Sequence, residues 1–496
     1  MIPLTLADAA RAVGGRLADA PDPSATITGV VVDSRQITPG CLFVAVSGAH
    51  HDGHDFAAGA LAAGAAAVLA GRPVGGPAIV VPDVLAGLAA LAAEVRSRST
   101  ATVIAVTGSS GKTSTKDLLA DLLPRLGETV AAPGNFNNEI GLPLTLLRVT
   151  PTTRYLALEM GARGIGHIAA LCRVARPDVG LVLNVGSAHV GEYAEGRAGI
   201  ARAKGELAEA ATALVVLSAD DPLVAAMAER ATAPVLTYGQ RPGAGVRAEN
   251  VTIDDAGRGS FDLLAGGERA RVRLGLAGGH QVANATAAAA VATSLGLSVP
   301  ETAAVLSAAR PRSRWRMEVT KTGDGLTVVN DAYNASPESV RAALRALVDM
   351  SGGRRSWAVL GAMGELGVAA DEEHDAIGRL AVRLGIDRLV AVGSDARRIH
   401  LGASLEGSWN GESVSVPTLD AAVDLLHDEL RPGDVVLVKA SRAIGLERLA
   451  AAVLEDHPAA AGDCGREGGD AAADAPTGGT AGTARRGGSQ GSGPGA

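Results

Sequence analysis

The chain has 496 residues, 47% of them hydrophobic and 20% charged, and its formal net charge at pH 7 is −8. This length exceeds what one hydrophobic core supports and predicts three domains. The acidic balance argues against a nucleic-acid-binding protein, because such proteins carry an excess of Lys and Arg to meet the phosphates. We therefore expect no nucleic-acid partner.

Neither a signal peptide nor a transmembrane segment is predicted. The N-terminus, MIPLTLADAARAVGG, places Asp8 and Arg11 where a signal peptide needs an apolar core. The most apolar window, 56–71, is shorter than the ~20 residues of a bilayer span, and we interpret GALAAGAAAVLA within it as a buried helix. The cysteines are odd in number and far apart, which fits neither a disulfide framework nor a zinc ribbon and favours the cytoplasm. They are Cys41, Cys172 and Cys464.

Composition divides the chain. Segment 456–496 has almost no bulky apolar residue, so it cannot bury enough surface to offset the entropy of ordering, and we predict a disordered tail. Two features mark boundaries between domains. A polar run at 96–100 follows a helical apolar stripe at 84–95, and Pro311 would interrupt the helix that precedes it. The predicted domains are 1–98, 99–310 and 311–455, followed by the tail.

Apolar runs of strand length alternate with Ala-rich helical segments in the second and third domains. The predicted strands are 103–107, 155–160, 179–185, 214–218, 327–331, 357–361, 389–393 and 435–440. This alternation predicts an α/β fold with mostly parallel sheets, whose ligands bind beyond the carboxyl ends of the strands.

The segment VIAVTGSSGKTSTKDLL, 103–119, carries the strongest chemical signal. An apolar strand enters a turn containing Gly108 and Gly111, and a helix follows. Such a loop directs backbone N–H groups at an anion, while Lys112 reaches the outer phosphates and the Thr113 hydroxyl can ligate Mg²⁺. The alternative is an ordinary strand–turn–helix without a ligand.

The loop departs from the general P-loop pattern, because Val106 stands where that pattern has glycine. The shortened form TGSSGKT resembles the loop of Mur ligases and folylpolyglutamate synthetases. The resemblance to the Mur ligase family extends along the ordered chain through VVDSR (31–35), HDGHDF (51–56), NFNNEIGLP (135–143), LEMGAR (158–163), NVGSAHVGEY (184–193), ARAKGEL (201–207), GGHQVANATAAAA (278–290), RWRME (314–318), NDAYNASPES (330–339), LGAMGELG (360–367) and VKASRAIGLERL (438–449).

The resemblance implies a small α/β domain that binds UDP, a central P-loop domain and a C-terminal Rossmann-like domain. It implies ATP binding, with adenine at Asn284, the terminal phosphate at Arg316 and the ribose at Asp331. The whole implied ATP set is Gly108, Ser109, Ser110, Gly111, Lys112, Thr113, Ser114, Asn284, Arg316 and Asp331. The implied Mg²⁺ ligands are Thr113, Glu159, His189 and, if it is carbamylated, Lys204. The implied catalytic set is Lys112, Glu159, His189, Lys204 and Arg316, and the implied UDP-peptide contacts are Asp33, Ser34, Arg35, Asn137 and Asn138.

Each assignment has a structural alternative. Glu159 could end its strand facing solvent, Asn284 could lie on a helix surface, and a lone Lys such as Lys204 usually lies on a solvated helix face. The DSR triplet at 33–35 could be a simple turn. The His-rich HHDGHD, 50–55, is interpreted as a polar loop rather than a metal site, because no matching ligands occur elsewhere.

The function implied is ATP-dependent ligation in peptidoglycan precursor synthesis. A monomeric enzyme would join D-alanyl-D-alanine to UDP-MurNAc-tripeptide through an acyl phosphate, with domain closure around ATP. The ligase that adds the third amino acid is the main alternative, although its DNPR-like motif is missing here. Three further alternatives are disfavoured. A folylpolyglutamate synthetase lacks the VVDSR-type domain, and the ligase half of an amidotransferase usually has a four-cysteine zinc insertion. A non-catalytic ATP-binding partner would not need Lys112 and Arg316.

Overall fold

The computed structural model describes residues 1–48, 51–187 and 190–458, so most of the predicted tail lies outside it. The N-terminal region contains a five-stranded sheet in the order β2-β7-β6-β5-β4, in which only β2 is antiparallel to its neighbour. A separate antiparallel pair is formed by β1 and β3. The strands are β1 Leu4–Thr5, β2 Arg16–Ala18, β3 Thr26–Ile27, β4 Val30–Val31, β5 Leu42–Val44, β6 Ala67–Ala70 and β7 Ala78–Val80, and the helices are α1 Leu6–Ala12, α2 Ala57–Ala62 and α3 Val84–Arg98.

The predicted helix over GALAAGAAAVLA is wrong in its second half. Helix α2 ends at Ala62, and Gly64 then takes a φ of +103°, a left-handed conformation that ends the helix. Residues 67–70 form β6, which is fully buried between β5 and β7. Short apolar runs do not distinguish a buried strand from a buried helix by periodicity, which explains the error.

The central region contains a nine-stranded sheet in the order β16-β15-β14-β13-β12-β11-β8-β10-β9. Its strands are β8 Thr102–Thr107, β9 Thr129–Ala131, β10 Tyr155–Glu159, β11 Val179–Val182, β12 Leu214–Ser218, β13 Val235–Gly239, β14 Val246–Ile253, β15 Arg258–Ala265 and β16 Glu268–Ala277. Its helices are α4 Lys112–Leu122, α5 Gly141–Leu146, α6 His167–Ala175, α7 Arg197–Ala210, α8 Pro222–Ala225, α9 His280–Ser294 and α10 Val299–Ala308. The strands from β9 to β14 are parallel, while β14, β15 and β16 form an antiparallel ribbon that the sequence analysis did not foresee.

The C-terminal region contains a six-stranded sheet in the order β17-β18-β22-β19-β20-β21, parallel except for β17. Its strands are β17 Glu318–Lys321, β18 Thr327–Asn330, β19 Ser356–Leu360, β20 Arg388–Val392, β21 Glu412–Val416 and β22 Val435–Lys439. Its helices are α11 Pro337–Ser351, α12 Ala370–Arg383, α13 Arg397–Leu405, α14 Leu419–Glu429 and α15 Glu447–Asp456. The predicted α/β class with mostly parallel sheets is confirmed.

All eight predicted strands are present, and the main difference is that β11 ends at Val182 rather than at 185. The three sheets occupy 16–80, 102–277 and 318–439, while the predicted domain boundaries stay predictions. Of the predicted tail, residues 456–458 are ordered, since the Pro458 carbonyl accepts a hydrogen bond from the Gly323 N–H at 2.9 Å.

The segment that joins the second and third sheets is bound to α4. Arg312 forms an ion pair with Asp121, and the Ser313 hydroxyl donates to Asp117 at 2.7 Å. The helix that follows the P-loop is therefore tied to the start of the C-terminal region. None of the helices in the described ranges combines the length and the apolarity that crossing a bilayer requires.

Candidate active site

The glycine turn between β8 and α4 has the geometry of an anion-binding loop. Gly111 precedes the helix with a φ of +81°, which favours glycine. The Lys112 ammonium donates to the Gly108 carbonyl at 2.7 Å, so the side chain folds back over the loop. Burial lowers the pKa of Lys112, Glu159 raises it and Arg316 lowers it further. The N–H groups of the first turn of α4 lack intrahelical acceptors and are available to an anion.

Asn184, directly after β11, holds the loop in place. The N–H groups of Ser109 and Ser110 donate to the Asn184 backbone oxygen at 3.1 Å and to its Oδ1 at 2.9 Å. Its Nδ2 returns a hydrogen bond to the Ser110 carbonyl at 3.1 Å. Two of the predicted phosphate-binding residues thus use their backbone N–H groups to fix the loop, and Asn184 is a residue that the sequence analysis quoted in a motif without singling it out.

Glu159 and Thr113 meet at the carboxyl edge of the central sheet. The Thr113 hydroxyl donates to Glu159 Oε2 at 2.8 Å, and Asn137 Nδ2 donates to Oε1 at 2.8 Å. Glu159 is 1% exposed, which excludes the alternative of a solvent-facing strand end. Asn137, which was predicted to contact the UDP-peptide, is here a partner of this carboxylate.

Hydroxyl and carboxylate oxygens are the hard donors that Mg²⁺ prefers, and Mg²⁺ usually completes its shell with phosphate oxygens and water. The Thr113–Glu159 pair beside a phosphate-binding loop fits that ion. Within the described residues, no group of three or more His, Cys, Asp or Glu side chains is placed to hold a metal without such help. The predicted imidazole ligand, His189, lies outside the described residues.

Lys204 lies inside the protein rather than on a solvated helix face. It belongs to α7 and is 4% exposed. Burial moves the pKa of its amine well below the usual value, and the charge of Lys112 lowers it further. Two residues along, Glu206 accepts hydrogen bonds from the N–H groups of Gly166 and Ala169 at 2.5 and 2.8 Å, which fixes α7 against the start of α6.

Asn284 also contacts the loop. It is 6% exposed in α9, donates to Gln281 Oε1 at 2.9 Å and packs its amide against Gly111. A side chain at position 111 would collide with this amide, so glycine is required there for space as well as for its φ. Ser114 lines a cleft that also reaches Arg316.

Arg316 lies between two strained residues. Trp315 and Met317 have φ angles of +57° and +50°, which residues other than glycine rarely adopt and which occur most often at functional sites. The Arg316 guanidinium lies over the Tyr333 ring, 4.3 Å from its centroid, and its buried Nε has no hydrogen-bond partner among the described residues. The C-terminal region thus directs a cation towards the cleft beside the P-loop.

Asp331, at the end of β18, is held by a buried lysine. Lys439 donates to Asp331 Oδ2 at 2.6 Å and to the Asn334 carbonyl at 2.7 Å, and the Met317 N–H donates to Oδ1 at 3.0 Å. Burial lowers the pKa of His280, while Asp331 raises it and Lys439 lowers it. Lys439 and His280 were both missed as site residues, although each stands in a quoted motif.

The N-terminal triplet is a self-contained turn. Asp33 caps a 3₁₀ turn at Ser34–Gln36, and Arg35 pairs with Asp33 at 2.8 Å with its side chain 68% exposed. None of the described contacts of Asp33, Ser34 or Arg35 joins them to the P-loop. Asn138 is exposed and accepts from the Gly141 N–H at 2.9 Å at the start of α5.

In the His-rich loop, both ring nitrogens of His54 form hydrogen bonds within the protein. Its Nδ1 pairs with Asp52 at 2.6 Å, and its Nε2 accepts from the Gly71 N–H at 2.9 Å. His50, in the same motif, lies outside the described residues.

Comparison with known proteins agrees with this geometry. Three family models match: the Mur ligase family catalytic domain over 26–107, the Mur ligase middle domain over 106–292 and the Mur ligase glutamate ligase domain over 315–442. A protein of Mycobacterium bovis named UDP-N-acetylmuramoyl-tripeptide–D-alanyl-D-alanine ligase is 52% identical over 92% of this chain and 98% of its own length.

Solved structures show the same likeness. The chain is 32% identical to MurF from Acinetobacter baumannii, with a TM-score of 0.83 over 91% of this chain and 99% of that one. MurF from Thermotoga maritima in complex with ADP is also 32% identical, with a TM-score of 0.75 over 86% of this chain and 97% of that one. On the three domain matches and on 52% identity along nearly its whole ordered length, this chain belongs to the Mur ligase family.

Proposed function

We propose that this protein is an ATP-dependent ligase that joins D-alanyl-D-alanine to UDP-MurNAc-tripeptide, releasing ADP and phosphate. The relatives that match over nearly their whole length carry the name of that activity, and one of them is solved with ADP. The observation that carries the proposal is the buried Thr113–Glu159 pair beside the glycine turn. The enzyme acts in the synthesis of the peptidoglycan precursor and therefore in cell-wall formation.

In this mechanism the peptide carboxylate attacks the γ-phosphorus of ATP, and an acyl phosphate forms. Two anions must approach each other, so neutralising charge dominates the barrier. Lys112 and the N–H groups that open α4 face the phosphates from the central region, and Arg316 approaches from the C-terminal region. Ser114, in the first turn of α4, and Arg316 line the same cleft, which supports a shared binding site.

Magnesium, bound by Thr113 and Glu159, would add positive charge at the phosphate oxygens. Asn137 orients the Glu159 carboxylate for that task. Lys204 is suited to carbamylation, because burial favours its uncharged amine, which is the form that reacts with CO₂. The carbamate would be an anionic oxygen donor, and His189 would complete the set.

The other implied contacts complete the proposal. Asn284 binds the adenine, Asp331 binds the ribose, and Asp33, Ser34 and Arg35 with Asn137 and Asn138 meet the UDP-peptide. The C-terminal region supplies most contacts to D-alanyl-D-alanine. We propose that the enzyme is a monomer and that it lies in the cytoplasm, since three widely spaced cysteines do not fit the disulfide framework of a secreted protein.

Phosphate release from the purified protein tests the proposal. With ATP, Mg²⁺ and UDP-MurNAc-tripeptide, we expect turnover when D-alanyl-D-alanine is added and none when a single amino acid replaces it. Turnover only with UDP-MurNAc-dipeptide and a single amino acid would move the chain to the ligase that adds the third residue. No turnover in either case would support a non-catalytic ATP-binding role.

A further inference from the structure

Glu338 reaches from the C-terminal region into the loop that follows β11. It stands in the first turn of α11, and its Oε1 accepts from the Ser187 N–H at 2.5 Å and from the Ser187 hydroxyl at 2.8 Å. The carboxylate packs against Gly186, where a side chain would lie within 2.7 Å of Oε1. One oxygen of this carboxylate is therefore fixed by the central region.

The same loop is bound to the phosphate-binding turn. The Gly186 N–H donates to the Ser109 hydroxyl at 2.9 Å, and Asn184 holds Ser109 and Ser110. Glu338 is thus only two contacts away from the P-loop. It joins α11 of the C-terminal region to the loop that holds the phosphate-binding turn.

The second oxygen of Glu338 has no partner. Oε2 is buried, and among the described residues no group donates a hydrogen bond to it. Within 1–48, 51–187 and 190–458, the cation that pairs with Glu338 is Arg341, which is 4.0 Å from Oε1 and makes its closer ion pair, at 2.5 Å, with Glu373. The Glu338 side chain as a whole is 30% exposed, but Oε2 itself is enclosed and lacks a donor, so this position favours a ligand that brings positive charge and N–H groups.

Glu159 and Asp331 do not offer such an oxygen, and Glu447, whose Oε2 also lacks a donor among the described residues, is paired through Oε1 with Arg442 at 2.7 Å. Glu159 accepts from Thr113 and Asn137, and Asp331 accepts from the Met317 N–H and Lys439. The nucleotide and the peptide carboxylate are anions that need cations. The ammonium group of the incoming dipeptide is the cation among the organic reactants, and of Glu159, Asp331 and Glu338 the last has an oxygen free to accept from it.

We propose that Glu338 Oε2 accepts a hydrogen bond from the ammonium group of the incoming dipeptide, while Oε1 keeps the carboxylate in place through Ser187. This inference rests on the proposed function and adds a substrate-binding residue to it. The residue selects a charged amine and holds its nitrogen towards the acyl carbon. After the ammonium has given a proton to water, the nitrogen attacks that carbon, the C–N bond forms, and the C–O bond to the leaving phosphate breaks.

The test compares Glu338→Gln with wild type. The amide oxygen of Gln can still accept from Ser187, so the contact between regions remains, whereas the charge and the free acceptor are lost. We expect the KM for D-alanyl-D-alanine to rise roughly 10- to 100-fold, the loss expected for a hydrogen bond to a charged group, with the KM for ATP unchanged. Glu372→Gln, an exposed carboxylate in α12, is the matched control and should leave all constants unchanged.

Hydroxylamine separates this inference from the function itself. It is uncharged at neutral pH and traps an acyl phosphate as a hydroxamate without needing an ammonium site. Hydroxamate formation that depends on the tripeptide should be equal in Glu338→Gln and wild type. If Glu338→Gln also forms less hydroxamate, or needs more Mg²⁺, the carboxylate acts in domain closure or in metal binding, and the inference is wrong. An unchanged KM for the dipeptide also overturns it, while a wild type that forms neither hydroxamate nor ligated product refutes the proposed function.

Discussion

The central region, which is expected to bind ATP, and the N-terminal region, which is expected to bind the UDP-peptide, differ in how firmly their site residues are fixed. In the central region, Thr113, Glu159 and Lys204 are each less than 5% exposed, and Thr113 and Glu159 are joined by a hydrogen bond. In the N-terminal region, Arg35 has a side chain that is 68% exposed, and its one ion pair within the described part of the chain is with Asp33.

This difference agrees with the binding role that we propose for each region. Stabilising the charge that develops during phosphoryl transfer requires groups held in place before the reaction, because reorganising them would add to the barrier. Recognition of a substrate that is held by many contacts tolerates a mobile surface group. Substitutions in the central region should therefore affect turnover, and those in the N-terminal turn should affect one KM.

The largest effect is expected from Lys112→Ala. Removing this ammonium should lower kcat by about 10³-fold, because a group that stabilises charge in the transition state contributes on that scale. Phosphate release measures it. The melting temperature should not fall, because burial already disfavours the charged lysine. Lys321→Ala, at an exposed position of β17, is the control, and full ligation by Lys112→Ala would show that the glycine turn does not act on the nucleotide.

A smaller loss is expected from Asn137→Ala. Without its amide, Glu159 Oε1 loses the donor that orients the carboxylate. Partners that orient a metal ligand typically contribute 10- to 100-fold to metal affinity, so the Mg²⁺ concentration for half-maximal activity should rise by about that factor. Asn135→Ala is the matched control, since Asn135 is an exposed asparagine two residues away in the same loop. Equal Mg²⁺ curves for both variants would contradict the role given to Asn137.

Sequence patterns predicted the parts of this site that depend on local order. The strand, the glycine turn and the helix from 103 to 119 follow from neighbouring residues, and the position of Glu159 follows from its place at the end of a parallel strand. The eight strands were found because short apolar runs alternate there with Ala-rich helical segments, the order that is typical of parallel sheets.

Contacts between distant segments were not predictable in the same way. Asparagine, lysine and glutamate are common residue types, so nothing marked three of the site residues in the sequence: Asn184, Lys439 and Glu338. Their roles arise only because loops that are far apart in sequence meet in the fold. The ribbon of β14, β15 and β16 was missed because its strands lie outside the alternation of strand and helix. The burial of Lys204 opposes the usual tendency of lysine, and only its motif indicated it.

Lys204→Met tests the burial of the central region through the pH dependence of the free energy of unfolding. The pKa of the buried amine is lowered from 10.5, so at intermediate pH the unfolded chain binds a proton that the folded chain does not. Wild type should therefore gain stability relative to the variant as pH rises from the lowered pKa towards 10.5, by at most about 1.4 kcal/mol per pH unit. Thermal unfolding in CO₂-free buffer between about pH 7.5 and 9.5 measures the difference. A constant difference in melting temperature across this range would mean that the amine is charged in the fold.

The smallest effect is expected from Arg35→Ala. An exposed ion pair contributes about 0–1 kcal/mol, so the melting temperature should hardly change. If Arg35 meets the diphosphate of the substrate, the KM for UDP-MurNAc-tripeptide should rise by roughly tenfold, as expected for one charge-assisted contact, with the KM for ATP unchanged. Arg11→Ala is the matched control, because Arg11 pairs with Asp8 at 3.0 Å and its side chain is 76% exposed in the same region. Equal KM values for the two variants would make the DSR triplet a turn and nothing more, and would leave the N-terminal contact to other residues of that region.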